Sequence, residues 1–317
     1  MAAASDAPGY PYTAGTEAVR QAAATWLRTA LNAVVDPTAV LPVIGTKELV
    51  AWLPTLLGLG SGDTVVHPAV AYPTYDVGAR IAGATAVAAD SLVALGPTRP
   101  GLLWINSPGN PTGQVLPVEH LRKVVAWARE RGTVVASDEC YCAFGWEAQP
   151  VSVLDPAVND GDLSGLLAVH SMSKRSNLAG YRAGFVAGDP VLVSRLLEIR
   201  KHAGMIVPAP VQAALTAVLG DEAHVGEQRA RYAARRALLR PALEAAGFRV
   251  EHSEAGLYLW CTRDEDCWTS VDWLAARGIL VAPGEFYGAA GRRHIRVALT
   301  ATDERVASAV SRLGEAR

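Results

Sequence analysis

The sequence predicts an α/β protein in which a mostly parallel sheet carries helices on both faces and a smaller α+β domain follows. Short apolar runs alternate with helical patterns through the first two thirds of the chain, which is typical of a parallel sheet. From about Asp221 the pattern changes to a long arginine-rich helix followed by antiparallel-looking strands. At 317 residues the chain is long enough for two units, and we expect a large domain over 14–225 and a small one over 226–317.

The first helical patterns are "TEAVRQAAATWLRTALN" and "TKELVAWLPTLLGLG", and we expect Pro54 to bend or interrupt the second. Strand-like runs follow at "DTVVHP", "TAVAAD", "GLLWIN", "GTVVASD" and "GLLAVHS". Between the third and fourth runs, "PVEHLRKVVAWARERG" begins with Pro117 and stops at Gly132, as helices do. In the C-terminal part, "EAHVGEQRARYAARRALLRPALEAAG" predicts the long helix, and "FRVEHSEAGLYLWCT" and "RRHIRVALT" predict strands.

The composition argues against several classes of protein. With 50% hydrophobic residues, 19% charged residues and a net charge of -2, the chain is typical of an ordered globular protein and gives no sign of nucleic-acid binding. The cysteines include no C-x-x-C pair, so we expect no metal site and a reduced, cytoplasmic protein. The N-terminal residues lack the order of a signal peptide and no apolar run could span a bilayer, so we expect neither export nor membrane insertion.

Polar side chains follow three of the predicted strands. Asn110 lies in "SPGNPTG" after the third run, Asp138 ends the fourth, and Lys174 follows the fifth in "SMSK". Ligands of open α/β sheets bind outside the carboxyl ends of the strands. We therefore expect these three side chains to converge on one site.

Lys174 is chemically distinctive because the chain has 25 arginines and only four lysines. A lysine amine can form a Schiff base with an aldehyde, whereas a guanidinium stays protonated and is a poor nucleophile. An aspartate facing a pyridine nitrogen, such as Asp138, would keep that nitrogen protonated and make the ring an electron sink. Asn110 and Tyr141 could each donate a hydrogen bond to a ring oxyanion.

A phosphate site is also predicted. "VIGTKEL" places Thr46 and Lys47 at a helix start, where free backbone N–H groups and the helix dipole favour an anion. Hydroxyl and guanidinium donors come from Ser171, Ser173 and Arg182 in the lysine segment. Each feature alone has an ordinary explanation, such as a surface lysine, a turn or a helix cap, but together they fit a site for pyridoxal 5'-phosphate.

The order and spacing of "SPGNPTG", "SDECY", "SMSKRSNLAGYRAG" and "RVAL" resemble those of class I/II, fold type I aminotransferases over essentially the whole chain. The resemblance implies that Lys174 is the Schiff-base lysine, Asp138 the pyridinium partner, and Asn110 with Tyr141 the pair at the ring oxygen. It implies further roles for Tyr72, which would stack on the ring, and for Arg296, which would bind the substrate α-carboxylate. The phosphate would be held by Thr46, Lys47, Ser171, Ser173 and Arg182.

The resemblance also implies a homodimer with shared active sites. Tyr10, in "PGYPYTAG", resembles the tyrosine that reaches the phosphate of the neighbouring subunit. Family members usually carry an N-terminal arm and a further short segment before this region, and that segment helps to close the active site and contacts substrate. We expect residues 1–13 to be a residual N-terminal segment, and substrate closure to be impaired without the arm.

Within the family, segments such as "LAGYRAGFVAGDP" and "KHAGMIVPAPVQAA" resemble N-succinyl-diaminopimelate aminotransferases of bacterial lysine biosynthesis. Small-molecule amino and keto acids would then be the substrates. The alternatives are another class I/II aminotransferase for aspartate, alanine or aromatic substrates, a carbon–sulfur lyase, and, more distantly, a non-catalytic sensor domain. The candidates for binding a distal substrate carboxylate are Arg28, Arg80, Arg175, Arg292 and Arg293.

Overall fold

The larger of two sheets has seven strands in the order β1-β7-β6-β5-β4-β2-β3 in the structure, a computed structural model that describes residues 1–314. Strands β2 to β6 are parallel, and β7 runs antiparallel to both of its neighbours. The strands are β1 Val40–Ile44, β2 Thr64–His67, β3 Thr85–Ala88, β4 Leu102–Asn106, β5 Val134–Asp138, β6 Leu166–Ser171 and β7 Ala183–Gly188.

Helices cover both faces of this sheet, as predicted. Leu103 and Ile105 of β4 pack on one face against the first group of helices, and Leu102 and Trp104 pack on the other face against the second. The first group is α1 Glu17–Leu31, α4 Val118–Arg129, α5 Pro156–Asn159 and α8 Ala209–Leu219. The second group is α2 Thr46–Leu56, α3 Thr74–Ile81 and α7 Pro190–His202. A further single turn, α6, spans Met172–Arg175.

The smaller sheet is antiparallel throughout, in the order β10-β11-β9-β8. It packs with three helices around a separate apolar cluster that includes Leu259 and Ile295. This confirms the predicted α+β character of the C-terminal part. The elements are β8 Arg249–Glu251, β9 Tyr258–Thr262, β10 Ala282–Pro283, β11 Ile295–Ala298, α9 Ala223–Ala245, α10 Cys267–Ala275 and α11 Asp303–Gly314.

Two strands of the large sheet, β1 and β7, are absent from the sequence prediction. Pro42 lies within β1, and a proline argues against a strand unless the strand is at a sheet edge, as β1 is. The sequence of β7, "AGFVAG", is rich in alanine and glycine rather than β-branched residues. Pro54 lies in the last turn of α2, so the helix continues through it to Leu56 instead of being interrupted.

A buried ion pair joins α7 to the first turn of α2. Arg200 is fully buried, and its two terminal nitrogens donate to the two carboxylate oxygens of Glu48 at 2.8 and 3.0 Å. The pair holds the first turn of α2 against α7. Within residues 1–314, no helix is long and apolar enough to cross a membrane.

Replacing Glu48 by alanine should destabilise the fold strongly, because Arg200 would keep its charge in the core without a partner. We expect a loss of about 3–5 kcal/mol in the free energy of unfolding, measured by urea denaturation. The control is Asp76→Ala, which removes the partner of Arg80 in an exposed ion pair, and it should leave the urea midpoint almost unchanged. Equal losses in the two variants would contradict this prediction.

Candidate active site

A cavity of about 310 Å³ lies at the carboxyl ends of β4, β5 and β6. The predicted site residues line it with one exception, Tyr10. They are Thr46, Lys47, Tyr72, Asn110, Asp138, Tyr141, Ser171, Ser173, Lys174, Arg182 and Arg296. Residues from the first helix turn of α2, three strand ends and the smaller sheet are therefore brought together by the fold.

Asp138 is buried at the end of β5. Its carboxylate accepts hydrogen bonds from the Tyr75 hydroxyl at 2.8 Å and from the Cys140 backbone N–H at 3.2 Å. Burial raises the pKa of Asp138, and these hydrogen bonds oppose that shift. No lysine, arginine or histidine among residues 1–314 forms an ion pair with it. A buried carboxylate of this kind fits the protonated nitrogen of a pyridine ring.

Asn106, at the end of β4, connects Asp138 with the loop that carries Asn110. Its side-chain amide donates to the backbone oxygen of Asp138 at 2.8 Å, and its side-chain oxygen accepts from the backbone N–H of Asn110 at 2.7 Å. The side-chain oxygen of Asn110 in turn accepts a hydrogen bond from Arg296 at 3.0 Å. One chain of hydrogen bonds therefore runs from the large sheet to the small one.

Arg296 lies on β11 with its guanidinium between two aromatic rings. The guanidinium carbon is 4.0 Å from the ring centre of Tyr258 and 5.0 Å from that of Tyr287. The Nε of Arg296 is buried and has no hydrogen-bond partner in the described part of the chain. A guanidinium that is fixed by aromatic stacking at the wall of a cavity is suited to binding a carboxylate.

Tyr141 and Tyr258 share a hydrogen bond of 2.7 Å between their hydroxyl oxygens. Burial raises the pKa of the Tyr141 hydroxyl well above its usual range, so it keeps its proton and can act as a donor. Tyr72 packs edge-on against Tyr75, with ring centres 5.8 Å apart, at the wall of the same cavity. The aromatic wall thus includes one residue from the small sheet.

The opposite end of the cavity is cationic. Among residues 1–314, no carboxylate pairs with Lys47, Lys174 or Arg182. Ser171 caps α6 by accepting a hydrogen bond from the backbone N–H of Ser173 at 3.1 Å. Unpaired cations, hydroxyl groups and a helix start make this end suitable for a phosphate.

Gly45 permits the close approach of Arg182 to the start of α2. Its φ angle is +72°, and a Cβ built there would lie 2.2 Å from a terminal nitrogen of Arg182. The space that any other side chain would fill is occupied by the guanidinium. Any other residue at this position would require the Arg182 guanidinium to move.

Several residues of the site escape prediction from the sequence. Tyr75, Asn106, Cys140 and Tyr258 all contact it, and only the aromatic-rich segments "AYPTY" and "GLYLW" give any signal for the tyrosines. Tyr10 is 94% exposed and does not line the cavity of its own chain.

The candidates for a distal carboxylate lie elsewhere. None of the five arginines named for this role lines the cavity. Arg175 is buried, donates to the backbone oxygen of Val218 at 2.7 Å and pairs with Glu222. Arg80, Arg292 and Arg293 form ion pairs with acidic residues.

Comparison with known proteins agrees with this geometry. A family model described as aminotransferase class I and II matches residues 1–313. The probable aminotransferase Rv1178 of Mycobacterium tuberculosis is 65% identical over 315 residues, 99% of this chain and 75% of the relative. The 4-dedimethylamino-4-oxo-anhydrotetracycline transaminase OxyQ of Streptomyces rimosus is 62% identical over 313 residues, 99% of this chain and 87% of the relative.

The solved structures show the same fold. That of N-succinyldiaminopimelate aminotransferase from Mycobacterium tuberculosis superimposes with a TM-score of 0.89 at 26% identity, and the match covers 100% of this chain and 88% of that one. An aminotransferase from Neisseria meningitidis gives a TM-score of 0.87 at 32% identity, covering 97% and 84% of the two chains.

Substituting Gly45 by alanine should weaken binding of pyridoxal 5'-phosphate, because the new methyl group would displace Arg182 from the cationic end. Loss of one charged hydrogen bond raises the Kd by about 10- to 100-fold, which a fluorescence titration can measure. Gly58→Ala is the matched control, since Gly58 has a similar φ of +80° but no atom of the described residues lies within 4 Å of a Cβ placed there. Equal affinities in the two variants would show that the contact with Arg182 is unimportant.

Proposed function

This chain belongs to the class I and II aminotransferases, which use pyridoxal 5'-phosphate, and we propose that its amino donor is N-succinyl-LL-2,6-diaminopimelate. The acceptor would be 2-oxoglutarate, and the products N-succinyl-2-amino-6-oxopimelate and glutamate, in the biosynthesis of lysine. The observation that carries transamination is the meeting of Lys174, Asp138 and Arg296 in one cavity.

The residues at the two ends of the cavity would orient the cofactor. When bound, pyridoxal 5'-phosphate supplies a ring that stabilises negative charge on the α-carbon of an amino acid. Asp138, held by Tyr75, would keep the ring nitrogen protonated, and Asn110 and Tyr141 would donate to the ring oxygen. Tyr72 would stack on the ring. The phosphate ligands would be Thr46, Lys47, Ser171, Ser173 and Arg182.

Lys174 would act through its Nζ atom. It would hold the aldehyde group of the cofactor, and its amine would take and return the proton at the substrate α-carbon. No hydrogen bond or ion pair to this amine is present within residues 1–314, so the amine is free to react. An amine is an effective general base when it lies within hydrogen-bond reach of the proton that it removes.

Arg296 would bind the substrate α-carboxylate. The stacking on Tyr258 fixes its guanidinium at the cavity wall, and Asn110 is already hydrogen-bonded to it. Because Arg296 comes from the small sheet, substrate binding would link the two sheets. This arrangement favours substrates with an α-carboxylate.

Two observations bear on the substrate. The segments that resemble N-succinyl-diaminopimelate aminotransferases, and the structural match to such an enzyme over 100% of this chain, support the diaminopimelate substrate. The 62% identity to a transaminase named for a 4-oxo-anhydrotetracycline supports a second candidate, amination of a ketone on a polycyclic compound. Either substrate would need the same cofactor site.

We also propose that the protein is a homodimer in which Tyr10 of each subunit reaches the phosphate site of the other. In one chain Tyr10 and Tyr12 are highly exposed, at 94% and 74%, although both are aromatic. Burial against a partner subunit would remove this apolar surface from water.

Lys174→Ala should abolish covalent attachment of the cofactor and lower kcat by about 100- to 10,000-fold. Attachment is measured by borohydride reduction followed by mass spectrometry of the peptides. Lys201→Ala is the control, since Lys201 forms an ion pair with Glu198 on the surface and should not affect either measurement. Normal labelling and turnover in Lys174→Ala would refute the proposed role.

A substrate panel tests the donor, with glutamate formation from 2-oxoglutarate as the readout. N-succinyl-LL-2,6-diaminopimelate should give a higher kcat/KM than aspartate, alanine or phenylalanine. Arg296→Lys should lower that kcat/KM about 100-fold through loss of the charged contact, whereas Arg292→Lys, outside the cavity, should not. Three results would each identify a different enzyme: preference for another amino acid, release of pyruvate from a thioether substrate, or amination of the 4-oxo-anhydrotetracycline alone. Cofactor binding without turnover would indicate a sensor domain.

A further inference from the structure

Three buried polar side chains share one small cavity behind the active site. Glu139 and His170 are each 1% exposed and Arg175 is 3% exposed. All three line a cavity of about 10 Å³. Each has one fully buried atom without a hydrogen-bond partner in the described part of the chain, namely Oε2 of Glu139, Nε2 of His170 and Nε of Arg175.

The rest of each side chain is held in place. The other carboxylate oxygen of Glu139 accepts from the backbone N–H of Val153 at 2.8 Å. The His170 ring packs edge-on against Trp26, with ring centres 5.1 Å apart, and Arg175 is bound to Val218 and Glu222. The three side chains are therefore held in place by contacts that do not involve the unpartnered atoms.

Direct pairing does not satisfy these atoms. Nε2 of His170 and Oε2 of Glu139 are 3.4 Å apart but are not in hydrogen-bond geometry. Buried polar atoms in folded proteins nearly always have a partner, either in the protein or in ordered water. Three such atoms around one cavity point to a shared partner.

We propose that one water molecule occupies this cavity and joins Glu139, His170 and Arg175 by hydrogen bonds. A volume of about 10 Å³ is close to the space that one water needs, and buried waters typically make about three hydrogen bonds. The chemistry of the atoms also matches. The Nε–H of Arg175 donates to the water, the water donates to the carboxylate of Glu139, and neutral His170 can take either role.

The small cavity has a larger cavity on each side of it. A second cavity, of about 220 Å³, shares Trp26, Cys142 and Arg175 with the small one and reaches the exposed residues Glu222 and Arg229. On the inner side, Cys140 and Ser171 line both the small cavity and the active-site cavity. The water site therefore lies between the solvent and the active site.

The water connects the segments that carry the site residues. Glu139 follows Asp138, and Arg175 follows Lys174, in the sequence. His170 lies on β6 directly before Ser171. Glu139 and His170 are therefore positioning residues that act through the water on Asp138 and Lys174. This role rests on the proposed function. The water site itself does not rest on it.

The electrostatic surroundings fit this arrangement. Burial raises the pKa of Glu139 to about 7 and lowers the pKa of His170 to about 3, so the imidazole stays neutral. The other titratable or charged groups near Glu139 are Asp138, Cys140, Cys142 and Arg175. With its proton Glu139 can donate to the water, and without its proton it accepts, so the bridge can persist in both states.

A high-resolution crystal structure of the holoenzyme tests the water directly. We expect a density peak within hydrogen-bond distance, about 2.6–3.2 Å, of all three atoms. An empty cavity, or a direct hydrogen bond between Glu139 and His170, would overturn the proposal. This result does not depend on turnover, so it separates failure of the water site from failure of the proposed function.

Two variants test the roles of the side chains. His170→Phe keeps the aromatic packing and removes Nε2. We expect a lower Tm and a fall of about 10-fold in kcat. The KM for 2-oxoglutarate should not change, because Arg296 is untouched. An unchanged kcat would overturn the positioning role, even with the water present.

Glu139→Gln keeps the shape and the hydrogen bonds but cannot titrate. Since the folded pKa of Glu139, about 7, lies above its ordinary value of 4.5, its stabilising contribution is complete below pH 4.5 and is lost as the pH rises to about 7. The Tm of the wild type should therefore fall relative to Glu139→Gln between pH 5 and 8. Glu130→Gln, at an exposed position, is the control and should follow the wild type. Parallel pH profiles for wild type and Glu139→Gln would contradict this account of the site.

Discussion

The burial of the Asp138 carboxylate, with no cation of residues 1–314 beside it, constrains the rest of the active site. A buried charge must be hydrogen-bonded or meet an opposite charge, or it takes up a proton instead. Tyr75 and the Cys140 backbone supply two hydrogen bonds, and Tyr75 is itself fixed by stacking on Trp104 at a ring distance of 4.9 Å. The remaining requirement is a cation, which the protonated nitrogen of a bound ring would provide.

The cationic end of the cavity has unpaired charges of the opposite sign. Lys47, Lys174 and Arg182 have no acidic partner in the described residues, so their charges repel one another until an anion binds. A ligand with a cationic ring nitrogen at one end and a phosphate at the other satisfies both ends together. The polypeptide therefore places complementary charges around one cavity before the cofactor is present, which is preorganisation.

Much of the fold could be predicted because local patterns carry it. Strands β2, β4, β5 and β6 contain runs of valine, leucine or isoleucine between turn residues, and each begins within two residues of its predicted start. Strand β7 consists mainly of alanine and glycine, and its antiparallel direction depends on pairing with β1 and β6 rather than on its own sequence. Contacts between site residues that are far apart in the sequence could not be predicted either. Tyr141 and Tyr258, for example, are hydrogen-bonded but 117 residues apart.

The position of β7 also determines when β1 can join the sheet during synthesis. Strand β1 leads directly into Thr46 and the start of α2, but its only sheet neighbour among residues 1–314 is β7, and β2 to β6 come between the two in the sequence. During synthesis β1 must wait for all five parallel strands before it can pair, and such long-range pairing is slow. The two halves of the cationic end, at Thr46 and at Arg182, meet only at that last step. Cofactor binding in a nascent chain would consequently report completion of the whole sheet.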